Sequence, residues 1–138
     1  MKKFSTYWKS SRKPNKQRKY SANAGLHLKR KFMSANLSKE LRKKYGKRNF
    51  PLRKGDHVKI MRGKFRKKTG KIMLVDMKKI KVEIEGIQMK KQDGSKANIK
   101  FNPSALQITE LNLEDRKRTE SLANSIKKTE KGENKNAP

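Results

Sequence analysis

The stretch from Lys59 to Asp76, KIMRGKFRKKTGKIMLVD, places two glycines and six basic side chains between two apolar runs. Such a loop could cradle the phosphates of a nucleotide, or it could bind the phosphates of a nucleic acid. A nucleotide-binding loop of the Walker type requires glycine, four residues, and then Gly-Lys-Ser/Thr. Here Gly70-Lys71 is followed by Ile72, and Phe65 stands where the first glycine is needed. The spacing excludes the nucleotide and leaves a basic loop for nucleic acid.

The other residue types that could catalyse a reaction or bind a metal form no recognisable site. The chain has no cysteine, which excludes disulfides, thiolate zinc sites and thiol catalysis. His27 and His57 are thirty residues apart without ligand-spaced partners, so no metal site is predicted. Asp56, Asp76 and Asp93 each lie beside a predicted strand end, where aspartate commonly stabilises a turn. We therefore predict no enzyme activity, no cofactor and no small-molecule substrate.

The charge of the chain indicates a polyanionic partner. Its 138 residues carry 40 Lys and Arg against 12 Asp and Glu, a net charge of +28. Residues 1–50 have a net charge of +16, residues 51–100 of +11, and residues 101–138 of only +1. Self-repulsion of this size favours binding to a nucleic acid. Because no signal peptide, membrane-spanning run or amphipathic membrane helix is visible, we expect a soluble, intracellular protein without membrane insertion.

The N-terminal part of the chain is predicted to present many of these cations. Residues 1–36 show neither helical nor strand periodicity, which indicates a basic extended arm that is largely disordered without its partner. Residues 37–50 are predicted as a short helix and linker. Ser38 is the expected N-cap of this helix, and Gly46 follows its last turn.

The globular part is predicted over residues 51–111 as a small β-barrel of about five strands, which gives a mainly β fold. Apolar and polar residues alternate in several stretches, whereas Ile72–Val75 is a continuous apolar run that favours a well-buried strand. Asp93-Gly94 is a hairpin turn signal, and a closed barrel would leave no exposed sheet edge. The predicted strands lie near residues 58–60, 72–75, 80–84, 99–101 and 106–108. Residues 112–138 are predicted as a helix capped by Asn112, followed by a disordered tail.

With these elements in place, GDHVKIMRGKFRKKTGKIMLVD resembles a KOW motif, a strand–loop–strand unit of RNA-associated proteins whose hallmark glycine would be Gly70. The flanking stretches MSANLSKELRKKYGKRNFPLRKGD, KKQDGSK and NPSALQITELNLEDRKR are similar to the archaeal and eukaryotic type of the universal large-subunit ribosomal protein L-twenty-four. The resemblance covers residues 26–118. Lys67 stands where many members carry glycine, which leaves the path of the loop backbone open.

The resemblance implies an SH3-like β-barrel with basic extensions that binds large-subunit ribosomal RNA directly and early in subunit assembly. It also implies a position near the polypeptide exit tunnel, with neighbouring large-subunit ribosomal proteins as partners. Recognition is expected to use phosphates, 2′-hydroxyls and backbone shape, because A-form RNA hides its base edges in a deep, narrow groove. A transcription-associated KOW module and an architectural DNA-binding protein are the alternatives.

The candidate RNA-binding residues come from the resemblance and from the charge of the arm. The resemblance carries this role to Lys29, Arg30, Lys31, Arg42, Lys43, Lys44, Lys47, Arg48, Arg53, Lys54, Arg62, Lys64, Arg66, Lys67, Lys68 and Lys71. The charge of the arm adds Arg12, Lys13, Arg18 and Lys19. Gly63 and Gly70 are predicted as structural turn residues, because glycine permits positive φ or close approach of a partner.

Overall fold

The computed structural model describes residues 10–133 of the chain, and their side chains through residue 126. These residues contain seven strands and four helices. The helices are α1 (Pro14–Asn23), α2 (Leu26–Phe32), α3 (Lys39–Tyr45) and α4 (Arg116–Glu133). The strands are β1 (Ser34–Leu37), β2 (Asn49–Pro51), β3 (His57–Ile60), β4 (Thr69–Asp76), β5 (Lys81–Lys90), β6 (Lys96–Phe101) and β7 (Leu106–Glu110). A 3₁₀ turn over Pro103–Ala105 precedes β7.

The strands form one sheet in the order β2-β1-β7-β3-β4-β5-β6. β1 and β7 pair in parallel, and the other neighbours are antiparallel. The predicted mainly β class with helical extensions is confirmed, and the fold is consistent with an SH3-like sheet. The strand count is seven instead of about five, and the sheet is open within the described residues, with β2 and β6 as its edges.

Helix α3 forms where its caps predict it. The Ser38 Oγ accepts a hydrogen bond from the Leu41 amide at 3.3 Å. At the other end, Gly46 adopts a φ of 61° and its amide donates to the Arg42 carbonyl at 2.9 Å. Both contacts satisfy backbone groups that a helix end leaves unpaired. The prediction of this helix and of both caps is confirmed.

The N-terminal segment differs from the predicted extended arm, because residues 14–23 and 26–32 are helical. Helix α1 buries no residue and starts with Pro14 in its first turn. Lysine, arginine and glutamine are good helix formers, so a polar stretch can be helical without an apolar stripe. Contacts with α2 hold it in place: the rings of Tyr20 and Phe32 lie 5.9 Å apart.

Residues 33–37 and 49–51 belong to the sheet and its core, although the prediction began the sheet near residue 58. Met33, Ala35 and Leu37 are buried in the core. β1 and β2 are only four and three residues long, so the period-two pattern that identifies a strand is too short to recognise.

The strand predicted over residues 72–75 is present in β4, but the prediction that it is well buried is wrong. Ile72 is buried, but the side chains of Met73 and Leu74 are 43% and 47% exposed. Ile72 pairs with Ile84 and Leu74 with Glu83, so Met73 is an extra residue on β4, a β-bulge. A bulge interrupts the alternation of faces along a strand, and consequently two neighbouring apolar side chains face outwards.

Helix α4 begins at Arg116 and not directly after Asn112. The Asp115 carboxylate accepts a hydrogen bond from the Lys117 amide at 3.0 Å, and the Asp115 carbonyl accepts from the third and fourth amides beyond it. Leu122 is buried and Ile126 packs against the core, so these two residues form the apolar face of the helix. The predicted disordered tail falls largely on residues 134–138, outside the described part of the chain.

A buried ion pair connects α4 to the sheet. Arg118 donates from Nη1 and Nη2 to the two Asp56 carboxylate oxygens at 2.7 and 2.8 Å. The Asp56 carboxylate also accepts from the amides of Arg53 and Asn112, at 2.8 and 2.9 Å. The Arg118 guanidinium lies 5.1 Å from the ring centre of Phe50. Asp56 is therefore the anchor of α4 as well as the predicted turn residue.

Candidate nucleic-acid interface

The basic loop, residues 61–68, is a compact connection between β3 and β4. The Ile60 amide donates to the Lys68 carbonyl at 2.9 Å, and the Lys67 amide donates to the Ile60 carbonyl at 2.8 Å. Gly63 has a φ of 90° and Lys67 a φ of 75°, so both occupy the region that favours glycine. The cationic side chains of this loop are all exposed, namely Arg62, Lys64, Arg66, Lys67 and Lys68.

Phe65 anchors the basic loop to the core. Its ring is half-buried and meets the ring of Phe101 edge-on at 6.2 Å between centroids. Lys68 Nζ lies 5.4 Å from the centre of the Phe65 ring, within cation–π distance. Phe65 therefore packs against the sheet, and the loop presents charge without a free aromatic ring.

Gly70 is required by close packing and not by an unusual turn. A Cβ on Gly70 would lie 2.6 Å from Ile84 Cγ2 and 2.9 Å from the Glu85 carbonyl oxygen on β5. Glycine thus allows close approach of β5 at position 70 and a positive φ at position 63. The neighbouring Lys71 is exposed on β4 and extends the charge of the basic loop along the strand.

A groove gathers cations from three of the predicted segments. We call it the cationic groove; its volume is about 980 Å³. It is bounded by the end of α2, by β2 and the segments around it, by β4 and by the start of α4. The predicted site residues that line it are Arg30, Lys31, Lys47, Arg48, Arg53 and Lys54. Side chains that are distant along the chain thus line one surface feature.

The remaining predicted cations lie outside the lining of this groove. Arg12 and Lys13 precede α1, Arg18 and Lys19 lie on it, and all four are exposed. Lys43 and Lys44 are exposed in the last turn of α3. The structure thus presents positive charge as separate patches on α1, α3, the basic loop and the cationic groove.

Four of the predicted RNA-binding cations link different elements of the fold, two of them at helix ends. Lys29 is 9% exposed and its Nζ donates to the Ala22 carbonyl at 3.2 Å. Arg42 donates from Nε to the Leu37 carbonyl at 2.9 Å. These two side chains hold helix ends in place and differ in this from the exposed cations around them.

The other two cations of this kind tie the groove wall to α4. Lys47 Nζ donates to the Ser121 carbonyl at 3.0 Å and lies 5.2 Å from the Phe50 ring centre. Arg53 forms a salt bridge with Asp115. Both remain part of the groove lining, so their charge contributes to its potential even while the side chains are held in place.

Acidic residues are placed to stabilise turns. Asp76 accepts a hydrogen bond from the Lys79 amide at 3.0 Å, and this bond lowers the pKa of its carboxyl group. Asp93 accepts from the Ser95 hydroxyl and amide at 2.7 and 2.9 Å, which likewise lowers its pKa.

Within the described residues, no three His, Cys, Asp or Glu side chains form a potential metal site. Among the described helices, none contains an apolar segment of membrane-spanning length.

Among the groove residues that were not identified from the sequence are Met73, Leu74, Lys117 and Arg118. Lys117 and Arg118 fall in the part of the chain whose charges nearly balance, so composition gave no signal there. Met73 and Leu74 belong to an apolar run that is indistinguishable from core. Their exposure depends on the β-bulge, which no local sequence pattern indicates.

Comparison with known proteins gives consistent matches over most of the chain. Residues 11–125 match the model of the ribosomal protein family that comprises L26 of eukaryotes and its archaeal counterpart. The "Large ribosomal subunit protein uL24" of Korarchaeum cryptofilum is 46% identical over 112 residues, covering 81% of this chain and 86% of that protein. The protein of the same name from Methanosphaera stadtmanae is 42% identical over 116 residues, covering 84% of this chain and 99% of that protein.

Proposed function

Because the chain belongs to this eukaryotic and archaeal ribosomal protein family, we propose that it binds large-subunit ribosomal RNA directly. Members of the family are structural, non-catalytic components of the large ribosomal subunit in the cytoplasm. The observation that carries the proposal is the cationic groove. Eight Lys and Arg line it, whereas Asp115 is the single acidic residue among its lining residues. Arg53 is paired with Asp115 and Arg118 with the buried Asp56, so the other cations give the groove a net positive charge.

The chemistry of these patches suits the RNA backbone. Lysine and arginine neutralise phosphates and release condensed counterions, which makes the affinity strongly salt-dependent. Side chains cannot read the deep, narrow major groove of an RNA duplex, so the patches mostly contact phosphates and 2′-hydroxyls and depend on helix shape. Patches on α1, α3 and the basic loop add contacts beyond the groove, which suits a protein surrounded by folded RNA.

We further propose that binding occurs early in subunit assembly, near the polypeptide exit tunnel and beside other large-subunit proteins. The family resemblance supports all three statements. The physical support is the net charge of +28: a chain with this charge repels itself and gains stability as soon as RNA phosphates neutralise it.

The experiment compares matched pairs of charge-neutralising substitutions in binding to a large-subunit RNA fragment. Arg48→Gln with Lys54→Gln removes two charges from the groove, and Lys90→Gln with Lys91→Gln removes two from the β5–β6 hairpin. We expect the Arg48→Gln/Lys54→Gln variant to bind the RNA fragment roughly tenfold more weakly than the Lys90→Gln/Lys91→Gln variant at moderate salt. Equal losses would show that net charge, and not the groove, determines the affinity.

Sedimentation on sucrose gradients tests the assignment to the ribosome independently. The wild-type chain is expected to co-migrate with large subunits, whereas a transcription-associated module or a DNA-binding protein would not. Affinity for the RNA fragment that does not change with salt concentration would contradict the phosphate mechanism.

A further inference from the structure

The cationic groove has an apolar side that phosphate binding does not use. Met73 and Leu74 line it with their exposed side chains, beside the half-buried Val75 and Met77. The bulge at Met73 turns both exposed side chains outwards. Bulges often re-aim side chains near functional sites, and contiguous exposed apolar patches are typical of binding surfaces. We propose that this groove binds an unpaired nucleotide of RNA, with its base against Met73 and Leu74. The inference rests on the proposed function.

Charge decides the class of the occupant. Among the described residues, no carboxylate lies within ion-pair distance of five cationic side chains of the groove. They are Arg30, Lys31, Arg48, Lys54 and Lys117. RNA supplies one phosphate with every base, so a short strand matches this density of charge and offers an apolar face as well. A protein segment would need several carboxylates beside an apolar residue within the same short length.

Geometry decides between paired and unpaired RNA. In a duplex, base faces are stacked inside the helix, and only the cations could be contacted. A base that is looped out can place its face on an apolar surface, as happens in sequence-specific recognition of RNA loops and bulges. The methionine thioether is polarisable and makes favourable contacts with flat π-systems. The groove volume of about 980 Å³ lies in the range of roughly 300–1,000 Å³ that is typical of small-ligand sites.

The test uses two RNA hairpins that differ only in a single bulged adenosine. Met73→Gln with Leu74→Gln makes the apolar side of the groove polar and leaves all charges in place. Because both side chains are exposed, this variant should fold. Met89→Gln with Leu113→Gln is the matched control, since these residues are 54% and 43% exposed and lie outside the groove lining.

The wild type is expected to bind the bulged hairpin more tightly than the fully paired one. The Met73→Gln/Leu74→Gln variant should lose this difference. Each methylene-sized contact that it removes should weaken binding to the bulged hairpin roughly fourfold. Its affinity for the paired hairpin should be unchanged. With 2-aminopurine at the bulge, the wild type and the control variant should change its fluorescence and the groove variant should not. Circular dichroism and thermal melting check that both variants are folded.

The outcomes separate this inference from the proposed function. If the wild type binds both hairpins equally and with strong salt dependence, the nucleotide site is refuted but phosphate binding stands. If it binds neither hairpin nor the large-subunit RNA fragment, the proposed function fails as well. If the groove variant loses large-subunit association but keeps the wild-type affinity for both hairpins, the groove binds an acidic protein segment and the inference is overturned.

Discussion

Arg118 and Asp56 form a two-pronged ion pair in the interior, although 62 residues separate them in the sequence. Their side chains are only 4% and 0% exposed. Breaking one half of such a pair leaves a buried charge without compensation, which costs about 3–5 kcal/mol. Because Arg118 lies in the first turn of α4 and Asp56 immediately before β3, the pair fixes the helix that forms one wall of the cationic groove.

We therefore expect Arg118→Met to lower the free energy of unfolding by about 3–5 kcal/mol, measured by urea denaturation. Arg116→Met is the matched control, because the Arg116 side chain is 91% exposed in its salt bridge with Glu120. An exposed pair contributes only about 0–1 kcal/mol. Similar losses in the two variants would contradict the anchoring role of Arg118.

Gly70→Ala should destabilise the sheet by about 1–3 kcal/mol, because overpacking forces a strand apart. The added Cβ would meet the Glu85 carbonyl at 2.9 Å, and backbone cannot rotate away as a side chain can. Gly25→Ala is the control, since its Cβ would meet only the flexible His27 side chain, at 3.1 Å. Thermal melting measures both, and an unchanged melting temperature for Gly70→Ala would refute the close-approach explanation.

Lys67→Gly should raise the free energy of unfolding by roughly 0.5–1 kcal/mol. Lys67 adopts a φ of 75°, a conformation that costs most side chains roughly 1–2 kcal/mol, and glycine relieves that strain while losing more chain entropy on folding. Lys64→Gly removes the same charge from the same loop without a positive φ to relieve, and should lower stability. Denaturant titration distinguishes them; a lower stability for Lys67→Gly would argue against strain at this position.

The elements that local patterns determine were the ones that could be predicted. Alternation identified β3 and the start of β5, and a serine and a glycine at the right spacing identified both ends of α3. Contacts between distant segments could not be predicted in this way. Nothing near Asp56 indicates that its partner is Arg118, and no local pattern distinguishes the exposed Met73 from its buried neighbour Ile72.

The candidate site likewise has residues that could be predicted from the sequence and contacts that could not. The family resemblance was sufficient to select Arg30, Arg48 and Lys54, which are exposed in the groove lining, as cations in a basic segment usually are. It was not sufficient to predict that Lys29 is buried beside them, since that depends on how α1 and α2 pack. Likewise, the groove exists only because α4 packs against the sheet, and that packing depends on an ion pair between distant residues.

The β5–β6 hairpin should respond to acid through Asp93. Hydrogen bonds from the Ser95 hydroxyl and then from its amide lower the pKa of the Asp93 carboxyl below its ordinary value of 3.8. A carboxyl group with a lowered folded-state pKa stabilises the fold above its unfolded pKa, and this stabilisation is lost as the pH falls through the folded pKa. NMR titration should place the Asp93 pKa below 3.8, and Ser95→Ala should move it upwards. A pKa that does not respond to Ser95→Ala would contradict this cause.

Two N-terminal truncations should differ in their effects on folding and on RNA binding. Removing residues 1–21 takes away eight basic residues and most of α1, which buries no side chain, so the urea midpoint should barely change. RNA affinity should fall, and the salt slope should become shallower by roughly 0.9 for each phosphate that the shortened chain no longer neutralises. Removing residues 1–36 also deletes Met33 and Ala35, both buried in the core, and should cost at least about 3 kcal/mol of stability. If the shorter truncation binds RNA as tightly as the full chain at every salt concentration, the cations of α1 have no part in binding.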